Sequence, residues 1–212
     1  MTELDIIKTW TPYLLVGLGW NFLISVIASA LGTSLGGLCV LMMGSPLKLL
    51  RYAGSIIPTL LRGAPSLFLM FYFSIIIPNE LELLDGSVII AIPNWLKAAL
   101  ALTASPLAFT AWNLTNSLEF WRSGEKRLAF LFIPNWFNSF LFTFLASSGA
   151  SLVGVSELVG RTNTVIKATG GSNAILLYCY AALIFVAASL SLSLLVRRMK
   201  FLINKKFAVN SP

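Results

Sequence analysis

The chain has no histidine among its 212 residues and only two cysteines, Cys39 and Cys179. Zinc and haem sites of ordinary ligand composition are therefore excluded, and no metal centre is expected. Both thiols stand singly inside apolar stretches, where free cysteine acts as a small packing residue rather than a disulfide partner. Charge is scarce as well: Asp, Glu, Lys and Arg make up 11% of the chain, against about a quarter in soluble proteins. With 57% hydrophobic residues and a mean hydropathy of +0.84, a soluble monomer could not solvate its own surface. Without histidine or a carboxylate pair, options for a nucleophile with its base are thin, and the chain is not read as an enzyme. No G-x-x-x-x-G-K-[ST] loop occurs either, so no nucleotide cofactor is expected here and any ATP is bound by a partner.

What the chain does have is apolar stretches of the right length. About 30 Å of hydrocarbon takes roughly 20 helical residues. The stretches define an all-α integral membrane protein of about five transmembrane helices, expected over residues 13–43, 52–78, 88–114, 128–153 and 173–198 of a single domain covering 1–212. The first stretch exceeds one perpendicular crossing and implies a tilted helix. It is also far too long for a cleaved leader and is read as a retained anchor. Pro93 and Pro106 mark a starting turn and a kink in the third.

Orientation follows from the cations. Lys48, Arg51, Arg122, Lys126, Arg127, Arg197, Arg198, Lys200, Lys205 and Lys206 collect on one side. Lys8, Lys97, Arg161, Lys167 and the acidic run Glu80, Glu82 and Asp85 collect on the other. Basic residues mark the cytoplasmic side, so the N-terminus is expected outside and the C-terminus in the cytoplasm. The net charge of +7 then calls for membrane lipid headgroups as partners and not for nucleic acid. Trp10, Trp95, Trp112 and Trp121 fall near helix ends, where indoles favour the headgroup level; Trp136 fits less well.

Three smaller features stand out. Ala28, Gly32 and Gly36 recur every four positions and predict a smooth helix-packing stripe. Asn113-Leu114-Thr115 matches a glycosylation sequon, but on this topology it lies at the cytoplasmic boundary and is read as chance. Arg62 is embedded in an apolar stretch beside the helix breakers Gly63 and Pro65. It is either a snorkelling cation or a residue at a helix break lining a pathway, and in this reading it is the one well-buried charge.

The stretch Leu60-Leu61-Arg62-Gly63-Ala64-Pro65-Ser66-Leu67 resembles the R-G-T-P-L-L segment of permease subunits of bacterial ABC importers for polar amino acids. Ala150-Ser151-Leu152-Val153-Gly154-Val155-Ser156-Glu157-Leu158 is similar to that family's T-S-L-V…G-V-x-E-L segment after the fourth helix. The order of the motifs, the helix count and the basic tail extend the resemblance over most of the chain. It implies a type I ABC importer permease fold in the bacterial inner membrane, forming half of a translocation pathway. The partners implied are a second permease subunit, a cytoplasmic ABC ATPase dimer and an extracytoplasmic solute-binding protein. Arg62, Gly63, Pro65, Ser66 and Leu69 would shape the path, and Ser148, Ser151 and Glu157 belong to the later motif.

The same resemblance assigns an ATPase-coupling loop to residues 117–128, with Glu119, Trp121, Arg122, Gly124, Glu125, Lys126 and Arg127. This region is shorter than the family's E-A-A-x-x-x-G and I-x-L-P pattern. An ordinary loop obeying the charge rule would need the same cations. Leu69 stands where the family often has glutamine, and Ser148-Gly149-Ala150 where it has K-D-T. These departures suit a non-binding half of a heterodimer, because a hydrophilic solute in lipid needs polar partners. The competing readings are a structural or assembly subunit, and a secondary transporter or channel without an ATPase.

Overall fold

The computed structural model describes residues 3–83, 88–171 and 173–208; Asp85 of the acidic run lies outside them. Nine α-helices and one hairpin are present among these residues. α1 (Glu3–Met43) is followed by α2 (Lys48–Arg62), α3 (Ser66–Ile76), strands β1 (Glu80–Leu83) and β2 (Val88–Ala91), then α4 (Asn94–Leu102) and α5 (Ala104–Arg122). α6 (Lys126–Phe130), α7 (Phe132–Ser147), a 3-10 turn (Ser148–Val153), α8 (Leu158–Ala168) and α9 (Ala174–Ala208) complete the chain. Three stretches, in α1, Lys126–Val153 and α9, are long and apolar enough to cross a bilayer, and α2 with α3 makes a fourth if the bent pair is one span.

The helix α1 is the axis of the bundle. Its buried face reads Leu14, Gly17, Asn21, Ile24, Ser25, Ala28, Ser29, Gly32, Gly36 and Cys39. That stripe of small residues brings α5 into backbone contact: a Cβ on Gly32 would lie 2.8 Å from the Thr103 carbonyl oxygen, and one on Gly36 would lie 2.6 Å from that of Leu107. Gly54 repeats the arrangement between α2 and α1: a Cβ there would lie 2.8 Å from the Cys39 carbonyl oxygen. The packing stripe is present as expected and runs further along the helix. Trp136, the indole that fitted no interface, donates Nε1–H to Thr33 Oγ1 of α1 at 2.7 Å.

Elsewhere the structure departs from the expected segments. The 52–78 segment is two helices bent by 105°. The 88–114 segment opens as strand β2, and its helix starts after Pro93 and runs to Arg122 with a break at Thr103, three residues before Pro106. β2 pairs antiparallel with β1, so Glu80 and Glu82 of the acidic run lie on a hairpin strand. α8 had not been expected as a helix at all. α9 continues beyond residue 198 to Ala208.

A polar cleft at a broken helix

The break between α2 and α3 follows from Pro65. Its ring nitrogen has no hydrogen to donate to the Leu61 carbonyl and its ring crowds that oxygen, while Ala64 is pushed out of helical geometry. The freed Leu61 oxygen accepts from Ala64 N–H instead at 3.2 Å, and α3 restarts with Leu69 N–H donating to the Pro65 carbonyl at 3.1 Å. Past the bend, α3 leaves α5 and packs on α4 and the 3-10 turn. A cleft of about 640 Å³ opens between the bend and α5.

Arg62, Gly63, Pro65 and Ser66 line the cleft from the bend. The opposite wall is one face of α5, where Ser105, Phe109, Trp112, Asn113 and Asn116 recur at helical spacing. Arg62 is exposed at the rim, so it is not a buried charge. Guanidinium, hydroxyl and amide groups converging on one cleft can replace the hydration shell of a small polar solute. Trp112 Nε1 is buried and, among the described residues, makes no hydrogen bond. Leu69 is not part of this lining; it packs on the core cluster of Met70, Ala98 and Ala101. Sequence reasoning missed the α5 wall because it took Asn113 as part of a chance sequon. Polar residues at 105, 113 and 116 in an apolar stretch were the available signal.

The expected loop at 117–128 is an ordered reversal. α5 runs on through Glu119, Trp121 and Arg122, and Gly124 (φ +85°) turns the chain. Glu125 N–H donates to the Phe120 carbonyl at 2.9 Å and Gly124 N–H to that of Trp121 at 3.3 Å, which closes the helix with the paired bonds of a left-handed C-terminal motif. Lys126 Nζ lies 5.9 Å over the Trp121 ring. All seven residues from Trp121 to Arg127 are exposed, giving one end of the bundle a charged corner.

The third expected group is split. Ser148 is half-buried, donates to the Leu145 carbonyl and lines a mostly apolar pocket between α8 and α9, away from the cleft at the bend. Glu157 is fully buried at the N-terminus of α8, where Oε2 accepts from Asn21 Nδ2 at 2.9 Å and from Val159 N–H at 3.1 Å. Its Oε1 accepts from Gly160 N–H at 3.0 Å, and the Ser151 hydroxyl adds a further bond. Burial pushes the carboxyl up from its ordinary value, and these bonds oppose the shift. Asn21, unnoticed in the sequence, also donates to Ser147 Oγ at 3.0 Å and accepts from Leu158 N–H at 3.1 Å, tying α1, α7 and α8 together.

The buried cation is Lys97 and not Arg62. Lys97 is 1% exposed on α4, and its Nζ donates to the Ile77 carbonyl and to Asn79 Oδ1, both at 2.7 Å. It fastens the C-terminal end of α3 and the base of the hairpin to the bundle. Among the described residues no group of three or more His, Cys, Asp and Glu side chains is placed to hold a metal ion.

The fold and the site together define a predominantly helical membrane protein with a polar cleft beside a broken helix and a charged corner at one end. A search of solved structures matches it to a chain in the crystal structure of an amino acid ABC transporter with histidines, with a TM-score of 0.74 and 19% identity. The match covers 94% of this chain and 98% of the other, so the two share a fold over nearly their full lengths. No protein-family model matches the chain, and no curated protein matches it.

Proposed function

We propose that this chain is the transmembrane subunit of an ABC importer, forming half of the translocation pathway for a polar amino acid or a similar small solute. The full-length fold likeness to a chain of an amino acid ABC transporter carries this reading. The polar cleft, which gathers Arg62, Gly63, Pro65 and Ser66 opposite α5, supports it from the site. The chain would sit in the bacterial inner membrane with its N-terminus outside, its five spans completed by the bent pair and by α4 with α5. The corner from Glu119 to Arg127 would dock a cytoplasmic ATPase dimer, and a solute-binding protein would deliver the solute from outside.

In this mechanism, ATP draws the two ATPase subunits together and the charged corners follow as rigid bodies, reopening the paired bundles toward the binding protein. Leu69 and Ser148 lack the polarity of the family's glutamine and lysine, which supports pairing with a different permease chain that holds the fuller solute site. Affinity purification from native membranes in mild detergent, followed by mass spectrometry, tests the assignment. Stoichiometric recovery of an ATPase and a second permease is the expected outcome. Recovery of this chain alone overturns the importer reading; two copies of it with an ATPase overturn the heterodimer.

A further inference from the structure

The last turns of α9 have no place in the mechanism above, yet they are not free. α9 has 35 residues, about 52 Å of helix at 1.5 Å per residue, well beyond about 30 Å of hydrocarbon. Its apolar run ends at Arg197 and Arg198, so the turns beyond project past the bilayer and meet α6. Arg127 Nε donates to Asn204 Oδ1 at 3.3 Å. The Phe207 ring lies 5.5 Å from that of Phe130, which meets the Trp121 ring edge-on at 5.8 Å. From the other side, Ser117 Oγ of α5 donates to the Ala129 carbonyl at 2.7 Å.

The helix α6 has five residues, too few to hold itself as a helix in water. Its geometry comes from being gripped by α5 and α9. At the opposite end of α9, Leu177 and Ala181 are buried against Leu14, Leu158 and Val165. One continuous helix therefore touches α8 at one end of the bundle and the charged corner at the other. A push on an unsupported corner would be absorbed by its own bending; a push on a braced one moves the bundle.

Resting on the coupling role given to this corner, we propose that the end of α9 is a brace for ATPase coupling, with Asn204 and Phe207 as positioning residues that hold α6 at a fixed angle to the ATPase. The test uses the reconstituted full complex carrying Asn204→Ala with Phe207→Ala. The ratio of solute-stimulated to unstimulated ATP hydrolysis is expected to fall about fivefold, with KM for ATP unmoved and with Phe207→Tyr retaining the wild-type ratio. An unchanged ratio in the double variant overturns the brace. Reversing Arg122, Lys126 and Arg127 to glutamate in the same complex separates the two ideas. If reversal abolishes stimulation while the double variant keeps it, coupling stands and the brace falls; if neither acts, both fall. The chain alone gives a second readout, from a nitroxide on Lys126→Cys in a Cys179→Ser background with Cys39 buried. Its spectrum is expected to be restricted and to gain a mobile component in the double variant. A spectrum that does not respond also overturns the proposal.

Discussion

Glu157 ties the first turn of α8 and the neighbouring Ser151 to Asn21 of α1, far away in the sequence. Truncating it to alanine removes one bond of the Asn21 amide and leaves the N–H groups of Val159 and Gly160 without their cap, a loss of about 1–3 kcal/mol. Its titration gives a sharper test. Burial raises the folded carboxyl above its ordinary 4.5, so the folded protein keeps a proton that the unfolded chain has released. Stability therefore falls as pH rises from that ordinary value to the raised one, and is level on either side. The thermal midpoint in detergent is expected to drop across that interval, and Glu157→Gln is expected to flatten the profile. Little of this was legible in the sequence, where Glu157 was one letter of a motif and Asn21 one polar residue in an apolar run. Lys97 and Arg62 show the same limit: hydropathy locates a cation along the chain, while its burial depends on whether another element passes over it. A hairpin base and the end of α3 pass over Lys97, and among the described residues none covers Arg62.

At the scale of elements, repeating patterns were more informative. Ala28, Gly32 and Gly36 announced the contact of α1 with α5 because close backbone approach demands small residues at helical spacing. Gly36 and Gly37 offer a matched pair for testing it. A Cβ at Gly36 meets the Leu107 carbonyl oxygen at 2.6 Å, whereas one at Gly37 meets nothing within 4 Å. Gly36→Ala should cost about 1–3 kcal/mol, and Gly37→Ala should be neutral or slightly stabilising through helix propensity. Thermal unfolding of the two variants side by side decides it; equal midpoints would remove the close-contact account. The break at Pro65 could likewise be read from one residue, but the 105° swing could not, since its direction is set by where α3 packs. α8 escaped notice because Gly160, Thr162, Asn163 and Thr164 make no apolar run. Its first turn is secured by the buried Glu157 cap on the Val159 and Gly160 N–H groups, and that carboxylate is in turn held by Asn21, far away in the chain.

For the whole molecule, apolar run lengths outlined the bundle and the cations suggested its orientation. Orientation is directly measurable: with Cys179 replaced, a membrane-impermeant thiol reagent applied to intact cells should label Glu80→Cys on the hairpin and spare Lys205→Cys on α9. The reverse pattern would invert the topology and place the charged corner on the wrong side for an ATPase. The bent pair has a consequence for how such a molecule is made. α3 has 11 residues, about 17 Å of helix, and α2 carries Lys48, Arg51 and Arg62. Neither half can enter lipid by itself, because a short helix and an open bend leave backbone groups that only protein or water can satisfy. The second segment is therefore expected to settle fully only once α5 is present to receive its bend. On that expectation its burial comes late in biogenesis, and the order of synthesis differs from the order of insertion.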